Sequence, residues 1–247
     1  MAQKQSGLTR RLNKLRRGKV YSILAIDHGL TSGLVEGLEN TSRWSEFADA
    51  VGIAAIVANI GAVREMPESR RHALILQTMG SPSILGKKAS RRVINTSVEE
   101  ALYFDVDCVA VQIDFLSESL EENVSEISSI RMQAHKIGMP VLFMITTPKG
   151  GFKNGKEVLS AVKVCHELGA DLIKTACECQ NEYPEPILSS LTGIAPVVLA
   201  GGEAGEHFLT KLHKAKELGF GGYCVGRNLF QSSDPRRIFE QIEKAFG

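Results

Sequence analysis

The chain has 247 residues, 43% of them hydrophobic and 23% charged, with a formal net charge of +1. That apolar fraction excludes a disordered chain, the near-zero charge gives no basis for wholesale nucleic-acid binding, and no apolar run approaches a membrane span. Five cysteines, Cys108, Cys165, Cys177, Cys179 and Cys224, are an odd number in a long chain. They argue against a disulfide framework and for a reducing, cytoplasmic setting. Cys177 and Cys179 form a C-x-C, which alone falls short of a zinc pattern. The basic start, residues 1–17, is followed by no apolar signal segment.

In chain order, residues 9–15 read as a short helix that plugs or flanks the bottom of the fold. Short apolar, β-branched runs then recur at 20–26, 54–58, 73–77, 108–113, 140–145, 171–175, 195–200 and 222–225. Continuous rather than alternating runs suit parallel strands covered on both faces. Between them, 117–136 is the clearest helix. Leu120, Val124, Ile127, Ile130 and Ala134 fall at helical spacing, and Gly138 and Pro140 end it. Asn154 caps the next, with Val158, Val162 and Cys165 inward and Gly169 as its stop. Residues 207–218 and 234–246 complete the set, Pro235 fitting a first helical turn. The second unit is short, and its helix is confined to 63–71. Eight βα units of roughly thirty residues, with no linker between them, predict a single (β/α)8 TIM barrel over residues 1–247 with a short N-terminal helical extension.

In such barrels the chemistry gathers where the strands end, at the carboxyl face. After the first run stand Asp27, His28 and Gly29. Asp27 is a candidate general acid, general base or charge partner, against the plainer role of capping a turn. His28 is the weaker candidate. Lys174 sits among apolar neighbours in the sixth run, and lysine is almost never buried without a reason. Desolvation lowers an ammonium's pKa and frees an amine for Schiff-base chemistry; the alternative is a lysine paired with Asp27 in the barrel mouth. Gly201 and Gly202 end the seventh run, and Gly226 and Arg227 the eighth. Adjacent glycine-bearing ends with an arginine fit a phosphate site, although Arg227 also fits a surface ion pair. Lys149, in the turn-rich 146–151 segment, is placed to steer an anion. Gln112 and Asp114 are read onto the fourth strand, where alternation puts both on one face, so both are expected to point inward. Residues 78–81 offer hydroxyl and backbone contacts.

Taken in order, these residues resemble the archaeal-type class I aldolases of the deoxyribose-phosphate aldolase superfamily. That group includes fructose-bisphosphate aldolases and 2-amino-3,7-dideoxy-heptulosonate synthases. The resemblance runs from Ala25-Ile26-Asp27-His28-Gly29 to Val225-Gly226-Arg227-Asn228. It passes through Ser97-Val98-Glu99-Glu100-Ala101, Gly138-Met139-Pro140, Asp171-Leu172-Ile173-Lys174-Thr175 and Ala200-Gly201-Gly202. It implies that Lys174 is the Schiff-base lysine, that Asp27 assists proton transfer at the iminium, and that Gly201, Gly202, Gly226 and Arg227 hold a substrate phosphate. It implies no metal and no cofactor. Its substrates are a phosphorylated ketose, a donor like dihydroxyacetone phosphate, and a small aldehyde, glyceraldehyde 3-phosphate or aspartate semialdehyde. Members of the second kind serve aromatic amino acid biosynthesis. Relatives are often rings of ten subunits, so a homo-oligomer is expected.

Two departures stand out. The relatives' tyrosine before the proline of the fifth loop is absent, its place lying in Thr146-Thr147-Pro148-Lys149. A threonine hydroxyl is a poor acid or base. Thr146, Thr147 and His28 are then the local candidates for a proton relay, and Asp27, a water or Tyr183 the others. After Gly202 the relatives' Pro-Lys is replaced by Glu203-Ala204, and Glu203 is expected to point away from the phosphate. Two other readings keep the same strand ends: an acyl transferase using coenzyme A, and a non-catalytic sugar-phosphate-binding barrel.

Overall fold

The structure is a computed structural model and describes residues 6–84, 87–89, 91–147, 151–177, 179, 194–205 and 207–246. Eight parallel strands form its centre: β1 Val20–Ala25, β2 Ala55–Ala58, β3 Ala73–Gln77, β4 Cys108–Ile113, β5 Val141–Ile145, β6 Leu172–Thr175, β7 Val197–Ala200 and β8 Gly222–Val225. Each pairs with the next, and β8 returns to β1 through Gly222 opposite Tyr21 and Cys224 opposite Ile23, which closes the barrel. All eight expected runs are strands, five of them shorter than expected by one or two residues.

Helices surround the ring: α1 Ser6–Lys14, α2 Gly29–Ser32, α3 Ser42–Val51, α4 Ile60–Glu65, α5 Val98–Tyr103, α6 Leu120–Lys136, α7 Gly155–Glu167, α8 Phe208–Glu217, α9 Arg227–Phe230 and α10 Pro235–Phe246. Their ends follow local chemistry. The Ser97 and Glu100 side chains form a reciprocal capping box on α5. Asn154 Oδ1 accepts the Glu157 N–H at the start of α7, and Gly169, at φ +89°, follows its end. The helix expected over 63–71 is displaced and shorter. It starts at Ile60 and stops at Glu65, because Met66 precedes Pro67 and is driven to an extended backbone.

Strand alternation divides the apolar side chains into two cores. Leu24, Ile56, Leu74, Val109, Phe143, Ile173 and Leu199 face outward and meet the helices. Ile23, Val57, Ile75, Leu142, Leu172 and Val198 face inward and fill the barrel. The amino end of the barrel is closed by Leu15, fully buried after α1, and by Arg16, whose guanidinium lies 4.3 Å above the Tyr21 ring. At the carboxyl end the inward positions turn polar, and the barrel opens.

Candidate active site

On three strands the inward column runs from apolar to polar. β3 presents Ala73, Ile75 and then Gln77; β4 presents Cys108, Ala110 and then Gln112; β6 presents Leu172 and then Lys174. Gln112, Met144 and Lys174 are register neighbours across β4, β5 and β6, so they form one layer. Above that layer lies a cavity of about 270 Å³. Lys174, Asp27, His28, Thr146 and Thr147 all line it, as do Asn59, Gln77, Gln112 and Arg92. Among its described lining residues Asp27 is the sole carboxylate.

Asp27 stands just beyond the end of β1 and is held from several sides. Its Oδ2 accepts a hydrogen bond from Gln77 Nε2 at 3.2 Å, and its backbone oxygen accepts one from Asn59 Nδ2 at 2.8 Å. Asn59 thereby leaves α4 without a side-chain cap. His28 Nδ1 stands 3.8 Å from Asp27 Oδ1, and its ring packs edge-on against Phe230 with centroids 5.2 Å apart. Burial pulls the imidazole below its ordinary value; the pull of Asp27 upward is opposed by Lys174 and Arg227. His28 is therefore a neutral imidazole at neutral pH.

Lys174 departs from the expectation of a lowered pKa. Burial acts downward on the ammonium, but a hydrogen bond to the Cys224 sulfur and the charge of the Asp27 carboxylate act upward, and the net direction is up. The resting amine carries its proton, and a base must take it before the nitrogen attacks a carbonyl. The Cys224 thiol beside it is itself pushed up by burial and stays protonated at neutral pH.

The polar wall of the cavity is incompletely satisfied. Asn59 Oδ1, Gln77 Oε1, His28 Nδ1 and Arg92 Nε are buried and have no hydrogen-bond partner in the protein. Buried polar atoms are nearly always paired, and each of these four belongs to a residue that lines the cavity, which therefore has polar groups to offer a ligand.

Gly201, Gly202, Gly226 and Arg227 stand on the adjoining ends of β7 and β8, outside the lining of this cavity. The absence of side chains there is a steric demand. A Cβ at Gly226 would lie 2.5 Å from the Ala25 carbonyl oxygen, and one at Gly201 3.0 Å from Val225 Cγ1. Gly202 has φ +70°. Asn228 Nδ2 donates to the Gly201 carbonyl at 3.1 Å and ties the two strand ends together. Glu203 does not point away as expected. Its Oε1 pairs with Arg227 NH1 at 3.5 Å, although its side chain is 89% exposed.

Other expectations separate. Lys149 and Tyr183 lie outside the described residues. The Thr78 hydroxyl donates to the Ala110 carbonyl at 2.8 Å and is fully buried, so it offers nothing to a ligand. Ser81 and Asp114 line a smaller neighbouring cavity, because β4 ends at Ile113 and its alternation carries no further. The sequence reading missed Asn59, Gln77 and Arg92. A signal for the first two was available: Gln77 closes an inward column as Lys174 does, and Asn59 directly follows β2, much as Asp27 stands just past β1.

Comparison with known proteins decides the family. The description "DeoC/LacD family aldolase" matches residues 21–232. The chain belongs to the DeoC/LacD aldolase family. Within its wider kin, the chain is 31% identical to 2-amino-3,7-dideoxy-D-threo-hept-6-ulosonate synthase 1 of Archaeoglobus fulgidus, over 96% of this chain and 89% of that one. It is 30% identical to 3-hydroxy-5-phosphonooxypentane-2,4-dione thiolase of Klebsiella pneumoniae, over 90% of this chain and 74% of that one. An archaeal fructose 1,6-bisphosphate aldolase shares the barrel fold, with a TM-score of 0.80 at 24% identity over 97% of this chain and 98% of that one. Among the described residues of this family member, no helix is long and apolar enough to cross a membrane.

Proposed function

We propose that this DeoC/LacD aldolase makes or breaks a C–C bond in a phosphorylated ketose through a Schiff base on Lys174. The observation that carries the reading is one amine and one carboxylate, Lys174 and Asp27, lining one cavity with several polar side chains at the carboxyl face. Lys174 adds to the ketone carbonyl of a donor like dihydroxyacetone phosphate, and water leaves. Loss of a carbon-bound proton from the iminium gives an enamine, which adds to the carbonyl carbon of an aldehyde while its oxygen gains a proton. Water then hydrolyses the product iminium and restores the amine. Asp27 is the group we assign to these proton transfers, held in place by Gln77, with neutral His28 beside it. Thr146 and Thr147 line the same cavity and bind rather than relay, since a hydroxyl is a poor base.

Backbone N–H groups of Gly201, Gly202 and Gly226, with Arg227, are assigned the donor's phosphate, which must displace Glu203 from the guanidinium. Aspartate semialdehyde and glyceraldehyde 3-phosphate are the acceptors to try, the first favoured because the altered fifth loop suggests a non-glycolytic member. We place the enzyme in the cytoplasm as a homo-oligomer. The test is product formation from dihydroxyacetone phosphate and each aldehyde. A new ketose phosphate, formed without coenzyme A and absent with Lys174→Met, supports the aldolase. Acyl transfer that requires coenzyme A moves the chain to the thiolase reaction.

A further inference from the structure

We propose that Arg92 binds the acceptor end of the substrate, and that the acceptor is an aldehyde bearing an anionic group, a carboxylate or a phosphate. The proposal rests on the reading of Lys174 as the Schiff-base amine.

Arg92 enters the mouth from the long connection between β3 and α5. Next to it, Val93–Ile94 pairs antiparallel with Met79–Gly80, and this pairing fixes the arginine over the cavity. One guanidinium N–H donates to Gln112 Oε1, and another donates to Thr146 Oγ1 at 2.6 Å. Both acceptors are neutral. Nε is buried and has no partner. Asp114 attracts the guanidinium electrostatically without forming an ion pair with it, although both side chains also line the smaller neighbouring cavity. A half-buried guanidinium whose side-chain partners are both neutral still has N–H groups to give, and an arriving anion would form a charge-assisted bond with it.

Position assigns this anion to the acceptor. Gln112, Met144 and Lys174 are register neighbours, so Arg92, bonded to Gln112, stands about two strand spacings, ~10 Å, around the barrel from the amine. Arg227 follows β8, two strands from Lys174 in the opposite direction. A donor held by its phosphate on the β7–β8 side meets the amine with its carbonyl. The new bond then grows toward β4 and β5, where Arg92 waits. Thr146 and Gln112 hold the guanidinium plane in place and leave further N–H groups for the anion.

The test pairs dihydroxyacetone phosphate with three acceptors: glyceraldehyde 3-phosphate, succinic semialdehyde and uncharged glyceraldehyde. The readout is the ratio of kcat/KM for each anionic acceptor to that for glyceraldehyde. The wild type should prefer an anionic acceptor, and the larger of the two ratios distinguishes phosphate from carboxylate. Arg92→Gln should lower that ratio about 10- to 150-fold, mainly through KM, as expected for loss of a hydrogen-bonded charge. Arg92→Lys should recover part of it. An unchanged ratio in Arg92→Gln, with all acceptors slowed alike, would make Arg92 a tie between β4 and β5 and overturn the proposal, as would a wild type indifferent to charge. Borohydride trapping with the donor alone separates the two claims. No adduct on wild-type Lys174 overturns the Schiff-base reading, whereas an adduct retained by Arg92→Gln leaves that reading intact whatever the acceptor ratios show.

Discussion

Gly226→Ala is the sharpest structural perturbation of this site. The added Cβ would lie 2.5 Å from the Ala25 carbonyl oxygen, 2.8 Å from His28 Cε1 and 3.1 Å from Phe230 Cε1, where ordinary contact begins at 3.4 Å. The nearest obstacle is backbone at the end of β1 and cannot rotate away. Relief requires β8 and β1 to part, or His28 to leave Asp27. Overpacking of this kind costs about 1–3 kcal/mol, and a barrel of this size loses roughly 2–4 °C of Tm per kcal/mol. The expected drop is roughly 2–12 °C by thermal melt, with weaker binding of dihydroxyacetone phosphate, because Arg227 shifts with its neighbour. Gly61→Ala is the control. It adds a Cβ to open space on an exposed face of α4 and should leave Tm unchanged or raise it. A Gly226→Ala protein that melts within about 1 °C of wild type and binds the donor equally well would refute the close-approach argument.

Other outcomes follow from the same geometry. Asp27→Asn should reduce kcat by about 10²–10⁴-fold while the fold survives, the range for loss of a positioned acid–base group; retention of more than a tenth of the rate would remove Asp27 from the proton path. Glu203→Gln frees Arg227 from its exposed ion pair. It should tighten inorganic phosphate binding by about 2- to 5-fold in a titration, and weaker binding would show that Glu203 helps rather than competes. His28 and His72 are both pushed below the ordinary 6.5 by burial. The unfolded chain therefore binds more protons below that pH, so stability present above pH 6.5 is lost as pH falls through the folded-state values. Melts at pH 7.5 and 5.5 check the sign, and higher stability at pH 5.5 would contradict it.

The barrel was legible because parallel strands covered on both faces appear as uninterrupted apolar runs, and each of the eight runs is a strand. Asp27 and Lys174 were legible because a polar residue at the end of such a run has one place to go, the mouth. Arg92 was not. It sits beside Arg91 in a connection whose course depends on pairing with Met79–Gly80, and nothing local separates an inward arginine from a solvated one. The sign of the Lys174 shift is hidden from the sequence for a related reason. Burial and a pairing with Asp27 are readable from the sequence, but which of them wins is not, and Cys224 on β8 is brought near only by the closed barrel. The Arg227–Glu203 pair likewise joins two strand ends distant in sequence.

The most direct measurement is borohydride reduction in the presence of dihydroxyacetone phosphate, followed by peptide mass spectrometry. The account predicts one stable adduct of the donor on the peptide that contains Lys174, and none in Lys174→Met. A folded, ligand-bound protein that gives no adduct, or gives it on another lysine, would contradict the Schiff-base mechanism.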